Sequence, residues 1–447
     1  MTKPFAADSP AAAPPRIFVH DVCWPDGTVN PHYALASQRA VLLAGMQDVL
    51  VVDHPIDHAH LSFLNGIGVG PRPQNVIVLR GDSTSLCESL LNDRHALHLL
   101  RRQLEHARAV QLDAYIVTAA SLRLRAELEM ALHLPVLYPS HPSATAHLAN
   151  NKCFVRDAAL TLGVPVAAGE VVNPAQSSPP RRQILRDAIV RQMCHADRVI
   201  IRGALGTGGS STFVIQQHNV EDVLDEIERG DTPQDCYLVE QMVELTCSPN
   251  IITEIFDDQP PRLIGSTDQI LSPSLHHAGN RFPSQALTLE LMRNSALVLS
   301  RWLGGIGYRG IAGFDFVEYL DPRTDRPAHL LAEINARMNA ACYPLAMMDH
   351  INTIQRRHRR PLVGGFVNTN VPNVRCTFTE LAGRAGDLLF DPQTGSGIVP
   401  FRLNWEKAQI SIAALADSPA TADALYRAFV TAAADQFATG LAMPALS

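Results

Sequence analysis

Four residues carry the densest chemistry in this chain: Asp315, Glu333, Asn335 and Arg337. They sit in two apolar runs, Ile311 to Tyr319 and His329 to Arg337, separated by Asp321-Pro-Arg-Thr-Asp-Arg-Pro327. Apolar and aromatic runs bounded by Pro and Asp read as two paired strands and their loop. Glu333, Asn335 and Arg337 fall at alternate positions, so a strand turns all three to one face. Asp315, on the neighbouring run, adds another oxygen donor. Carboxylates plus an amide oxygen, with no Cys or His, suit a hard cation such as Mg2+. Mg2+ in that setting accompanies a nucleoside triphosphate.

A second constellation, Val199-Ile-Ile-Arg-Gly-Ala-Leu-Gly-Thr-Gly-Gly-Ser-Ser-Thr-Phe-Val-Ile215, reads as strand, glycine loop and strand. Gly206, Gly208 and Gly209 let the backbone approach a ligand closely, and successive N–H groups in such a turn form an anion-binding concavity. Ser210 and Ser211 add hydroxyl donors. Arg202 ends the first strand and places a permanent positive charge near the same anion, worth about 4 kcal/mol in Coulomb terms at ~4 Å and an effective dielectric near 20. No Gly-Lys-Ser/Thr follows, so this is not a Walker loop, and it opens a strand where a Rossmann loop opens a helix. The plain alternative is a glycine-rich turn without a ligand.

These motifs need a large scaffold. At 447 residues and 46% hydrophobic, the chain can bury several cores, and about three domains are expected. The net charge of -7 argues against bulk nucleic-acid or anionic-membrane binding. No apolar run reaches membrane-spanning length, and Met1 to Pro15 lacks a charged and then apolar leader. A soluble cytoplasmic protein with a disordered N-terminus (1–15) is expected. The 8 cysteines are scattered singly, which predicts buried free thiols in a reducing compartment.

From Arg16 to about Pro139, short runs (Arg16 to His20, Val49 to Val52, Val76 to Leu79, Tyr115 to Thr118, Val136 to Tyr138) alternate with helical patterns (Leu97 to Val110, Leu122 to Leu132). That alternation predicts a parallel α/β sheet. A helix is then predicted from near Asn151 to Leu162, stopped by Gly163 and Pro165. Beyond it the pattern is α+β, with a helix over Gln183 to His195 and strands over Tyr237 to Val243, Ile251 to Phe256 and Arg262 to Leu271. A helix from Thr421 to Thr439 closes the pattern.

In their order along the chain, these parts resemble an ATP-grasp ligase. The resemblance implies an ATP-grasp fold preceded by a Rossmann-like parallel α/β domain, with ATP and Mg2+ as cofactors. It places Lys152 at the helix entering the nucleotide domain and Arg202 at the end of the strand before the glycine loop of Gly206, Gly208, Gly209 and Ser210. It puts Glu240, Gln241, Met242 and Val243 at the adenine hinge, and Glu244 or Asn250 on the ribose. Asp315, Glu333 and Asn335 fall on the metal, and Arg337 faces the transferred phosphate as a catalytic residue beside Arg202. Arg202 departs from the Lys that the family usually carries there. The stretches Ile270 to Ser284, Gly307 to Asp315 and Glu333 to Pro344 are further similar to the pheganomycin-type peptide ligases. The domains implied are 16–145 before the core, 146–350 as ATP-grasp core, and 351–447 as a small C-terminal domain. The function implied is amide bond formation between a small carboxylic acid and an amino acid or short peptide, without nucleic acid or membrane, and with a homodimer left open. An ATP-grasp phosphotransferase and a non-catalytic nucleotide-binding scaffold are the alternatives.

Other motifs weigh less. Gly305-Ile-Gly-Tyr-Arg-Gly310 fits a dinucleotide fingerprint but is followed by a strand pattern, so it is a turn. Asp53-His-Pro-Ile-Asp-His-Ala-His60 has metal-like composition, but Pro55 spoils the helix that would align its histidines, so a solvated loop is expected. His276 and His277 are surface residues or substrate contacts. Arg356-Arg-His-Arg-Arg360 reads as a solvated linker.

Overall fold

The N-terminal alternation builds a five-stranded parallel sheet in a computed structural model of the chain. Its order is Val76–Val78, Val49–Val52, Arg16–Val19, Val110–Ala114, Val136–Leu137. In sequence numbering that is 3-2-1-4-5, the Rossmann-like order. The structure describes residues 13–20, 36–79, 85–139, 141–174, 180–206, 211–230, 234–273, 275–355, 361–370, 377–404 and 409–433. Gly208, Gly209, Ser210, the Arg356–Arg360 run and most of the N-terminal 15 residues lie outside them.

The fourth strand is displaced from its predicted place. Tyr115 to Thr118 has the stronger β composition, but Val110–Ala114 pairs with the first strand. Thr118 instead caps the helix Ala119–Leu132: its hydroxyl accepts from Ser121 N at 3.1 Å, and Ser121 Oγ accepts from Thr118 N at 2.9 Å. A capping box fixes where a helix starts, so residues 115–118 become the strand-to-helix connection.

Two compact units are present: Met1–Ser143 with Gly279–Pro283 and Arg337–Ser447, and Ala144–Ala278 with Ser284–Ala336. In the first, the strands Val363–Asn370, Gln409–Ala416 and Gly397–Asn404 form antiparallel pairs, covered by the helices Phe378–Ala385 and Pro419–Ala433. In the second, one sheet has the order Gly169–Val172, Tyr237–Gln241, Val199–Gly203, Thr212–Ile215, with Leu185, Ile189, Leu224 and Ile227 of two helices filling its covered face. A separate antiparallel set joins Leu245–Cys247, Gly310–Asp321, Pro249–Ile255 and Arg262–Leu271, and Arg326–Asn335 pairs with Gly310–Asp321. The α/β and α+β architecture expected from the sequence is present. Among the described residues no helix is long and apolar enough to cross a membrane.

Two expectations are overturned. Cys153 and Cys236 are joined as a disulfide, 83 residues apart in sequence. Spacing rules see only near pairs, whereas here the fold brings the start of one helix to the start of a distant strand. His60 is not in a solvated loop but 3% exposed, in the helix His58–Gly66 capped by Asp57. Pro55 lies before the cap, where it breaks nothing.

The His60 ring stacks on Phe378 with centroids 5.0 Å apart, and its Nε2 donates to the Pro400 carbonyl at 2.7 Å. Burial holds its pKa below 6.5 against the opposing effects of Pro400 and Asp57. The unfolded chain therefore takes up a proton below pH 6.5 that the folded chain does not, and stability is lost as pH falls through that value. The expected slope is at most about 1.4 kcal/mol per pH unit. Denaturation midpoints of the wild type and His60→Gln on either side of that pH check this. An equal slope in both proteins would rule His60 out.

Candidate active site

Asn151 starts the site. Its side chain accepts from Cys153 N at 3.0 Å and Phe154 N at 3.1 Å, which caps the helix Lys152–Thr161. Lys152 N donates to Ala204 O at 2.9 Å, tying the helix start to the end of the strand Val199–Gly203. Lys152 and Arg156 are four apart on that helix and so share a face. Both are buried, and each meets a different carboxylate.

Lys152 Nζ lies 2.9 Å from Glu333 Oε2. Glu333 belongs to a row set by register: Asn250 faces Asp315 across one pair of strands, and Asp315 faces Glu333 across the next. Residues directly opposite in a sheet point to the same face, so the three side chains converge. Asn250 Nδ2 donates to Asp315 Oδ1. Asn335, two residues along, donates to Asp315 Oδ2 at 2.8 Å and to Glu333 Oε1 at 3.4 Å. Burial, and then the charge of Glu333, push the Asp315 carboxyl up to about 7, against the hydrogen bonds of Asn250 and Gln269.

A pair of carboxylates held this close, with one buried, disfavours its own charge, and a cation reverses that. The carboxylates of Asp315 and Glu333 therefore suit a hard divalent cation such as Mg2+, with the side-chain amide of Asn335 beside them, its Nδ2 donating to both. Among the described residues no group of three or more His, Cys, Asp or Glu could hold a metal.

The second carboxylate is Glu240, 1% exposed. It pairs with Arg156 Nη1 and with Arg202 Nη2, and accepts from Arg202 Nε at 3.1 Å. Arg202 Nη1 also donates to Ala332 O at 2.6 Å. That carbonyl is made available by a bulge: Asp315 pairs with Glu333 and Phe316 with Leu331, so Ala332 is the extra residue. Glu240, assigned by resemblance to the adenine hinge, thus holds two guanidinium groups. Gln241 ends the strand, bonding to Gln192 through its side chain at 3.2 Å. Met242, Val243 and the exposed Glu244 lead out to Leu245–Cys247. Gly206 is described, and below it Gly203 N donates to Ser211 O at 2.9 Å, closing the hairpin base.

Arg337 comes two residues after the end of the strand Arg326–Asn335. Its guanidinium lies 5.5 Å from the centroid of the Tyr115 ring, in the first unit. Asn250 belongs with the carboxylate row and its amide is committed to Asp315. Arg156 and Gln269 were missed; the Lys152/Arg156 spacing behind a capping Asn was a usable signal for the first, and no local pattern marks the second. Gly305 ends the helix Leu289–Gly305 and Gly310 opens a strand, so that motif is a turn.

Residues 37–130 match the pre-ATP-grasp domain family. N5-carboxyaminoimidazole synthetase from Staphylococcus aureus is similar in structure, with TM-score 0.51, 9% identity, and 93% of this chain and 97% of that chain covered. So is the Aspergillus clavatus carboxyaminoimidazole ribonucleotide synthase complexed with ATP, with TM-score 0.51, 12% identity, and coverages of 84% and 94%. An ADP complex of N5-carboxyaminoimidazole ribonucleotide synthetase aligns with TM-score 0.50 and 14% identity over 79% and 85%. The chain has an ATP-grasp fold. At these identities the likeness concerns the fold alone, with a pre-ATP-grasp domain ahead of the ATP-grasp core. No curated protein matches the sequence.

Proposed function

We propose that this ATP-grasp protein is an ATP-dependent carboxylate–amine ligase, forming an amide between a small carboxylic acid and an amino acid or short peptide in specialised metabolism. The observation that carries this is the Asn250–Asp315–Glu333 row with Lys152 against it. The likeness of three sequence stretches to peptide ligases supports the choice of acceptor.

A carboxylate and an amine do not condense in neutral water, because the carboxylate is anionic and its oxygen leaves poorly. The acid therefore takes the γ-phosphoryl group of ATP, releasing ADP. The amine then attacks the acyl carbon, the C–O bond to phosphate breaks, and the amine loses a proton. Lys152, Arg202 and the loop of Gly206, Gly208, Gly209 and Ser210 bind the phosphates. Gln241, Met242 and Val243 line the adenine. Glu244 or Asn250 holds the ribose. Asp315, Glu333 and Asn335 would hold Mg2+, which would supply positive charge against the phosphates. Arg337 stabilises charge on the transferred phosphoryl.

The test is ATP turnover with Mg2+ against a matrix of acids and amines, resolving ADP from AMP and watching for a new amide mass. ADP and phosphate formed only with both substrates present is the expected result. AMP would overturn the acyl-phosphate route, and a phosphorylated acceptor would make the protein a phosphotransferase.

A further inference from the structure

The Cys153–Cys236 bond lies among the residues assigned to the phosphates of ATP, and the reaction makes no use of it. Cys153 is the second residue of the helix Lys152–Thr161, directly after Lys152, and Cys236 directly precedes the strand Tyr237–Gln241. Between their segments runs Ala204, the first residue after the strand Val199–Gly203 on the way into the glycine loop. Lys152 N donates to Ala204 O at 2.9 Å, and Ala204 N donates to Cys236 O at 3.0 Å. Leu205 N donates to Gln234 Oε1 at 2.9 Å. Ala204 and Leu238 pack with the two cysteines in one small core. One covalent bond therefore joins the two segments that hold the entry to the glycine loop from either side.

Breaking that bond leaves the same helix and strand tied a second time, by the ion pair of Arg156 and Glu240. The helix then stays docked at Arg156, and what is freed is its first turn. Lys152, whose Nζ lies 2.9 Å from Glu333 Oε2, belongs to that turn. The chemistry of the place favours reduction, because the first turn of a helix carries positive partial charge, which stabilises a thiolate leaving from Cys153. A thiolate of an external dithiol attacks Cys236 Sγ, the S–S bond breaks, and Cys153 leaves as thiolate and takes up a proton. The second thiol of the reagent then attacks its own sulfur in the mixed disulfide, and Cys236 is released as the thiol. Two electrons and two protons pass from the dithiol, which becomes a disulfide.

We propose that this pair is a redox switch on the nucleotide site: bonded, it holds Lys152 and the base of the glycine loop in place for the phosphates of ATP, and reduction by a dithiol weakens ATP binding. Cys153 and Cys236 are positioning residues, acting through Lys152 and Ala204. This rests on the nucleotide part of the ligase reading and is independent of which acid and amine are joined.

The experiment is calorimetric titration of the full-length protein with a non-hydrolysable ATP analogue and Mg2+ across mixtures of reduced and oxidised dithiothreitol, with the state of Cys153 and Cys236 read by thiol labelling and peptide mass. Bonded protein is expected to bind about tenfold tighter than reduced protein, because ordering even one residue of the freed turn costs about that factor. The change should follow the labelling of these two residues from mixture to mixture and reverse on reoxidation. Cys153→Ser/Cys236→Ser is expected to bind as reduced protein does in every mixture. The switch is overturned if reduced protein binds as tightly as bonded protein or more so, or if a folded double variant still responds to the reductant. It is equally overturned if the two cysteines stay paired in excess reductant or unpaired in excess oxidant. Should the double variant not fold, the reversible titration of the wild type decides by itself. Equal affinities overturn the switch and keep the ATP site, whereas no binding in any mixture overturns both. Redox-dependent ATP binding by a protein that forms no amide from any acid and amine keeps the switch and removes the ligase reading.

Discussion

Asp315→Asn and Glu333→Gln are each expected to lower turnover by about 10²–10³, which corresponds to roughly 2.7–4 kcal/mol, the range for one electrostatic stabiliser in a closed site. The two substitutions differ in what they do to the resting protein. Asp315 is a buried carboxylate beside Glu333, and removing its charge relieves repulsion that burial makes worse. Its melting temperature should therefore hold or rise, even though one of the amides of Asn250 and Asn335 must turn to find an acceptor. Glu333 also receives Lys152, at 2.9 Å. Glu333→Gln leaves that ammonium in a 6%-exposed position without its carboxylate, so it should lose stability as well as activity. The pair is resolved by measuring turnover and melting with and without Mg2+ and ATP. Ligand-induced stabilisation should shrink in both variants. A variant of either residue that turns over at the wild-type rate would remove the row from the reaction, whatever its melting curve.

Alternation was enough to put Glu333 and Asn335 on one face, but Asp315 faces Glu333 only because Ala332 bulges, since the register of the rest of the hairpin would set it opposite Ala332. Legibility ends where partners come from far along the chain. Glu240 is 84 residues from Arg156 and 38 from Arg202, and nothing local in Tyr-Leu-Val-Glu-Gln says that the carboxylate will meet two guanidinium groups. Alternation places Glu333 and Asn335 on one face, but the strand ends before Arg337, so alternation alone does not orient that residue. The parallel sheet was readable from its period, but Tyr115 to Thr118 was misplaced because β composition outweighed a capping box that occupies Thr118 and Ser121. The disulfide between Cys153 and Cys236 and the burial of His60 depend on tertiary neighbours that spacing does not encode.

Glu240→Leu is expected to cost about 3–5 kcal/mol of folding stability, because it leaves Arg156 and Arg202 buried without their shared carboxylate. The cost should come from the two orphaned charges and not from any large net strength of the triad. Each ion had to leave water to reach this site, and the attraction between them offsets that loss only in part. The same reasoning predicts that Arg156→Met and Arg202→Met added to Glu240→Leu restore most of the stability, since three apolar side chains of similar volume carry no desolvation penalty. Denaturant midpoints of the single and triple variants measure this, and a triple variant no more stable than Glu240→Leu would mean that the triad is itself strongly stabilising. Turnover separates structure from chemistry in the same proteins. Arg202 ends the strand beneath the glycine loop, and its fork is held by Glu240 and by the carbonyl of the bulged Ala332. If that fork serves the phosphates, the triple variant recovers its fold and not its activity. A stable, fully active triple variant would make Arg202 a structural residue.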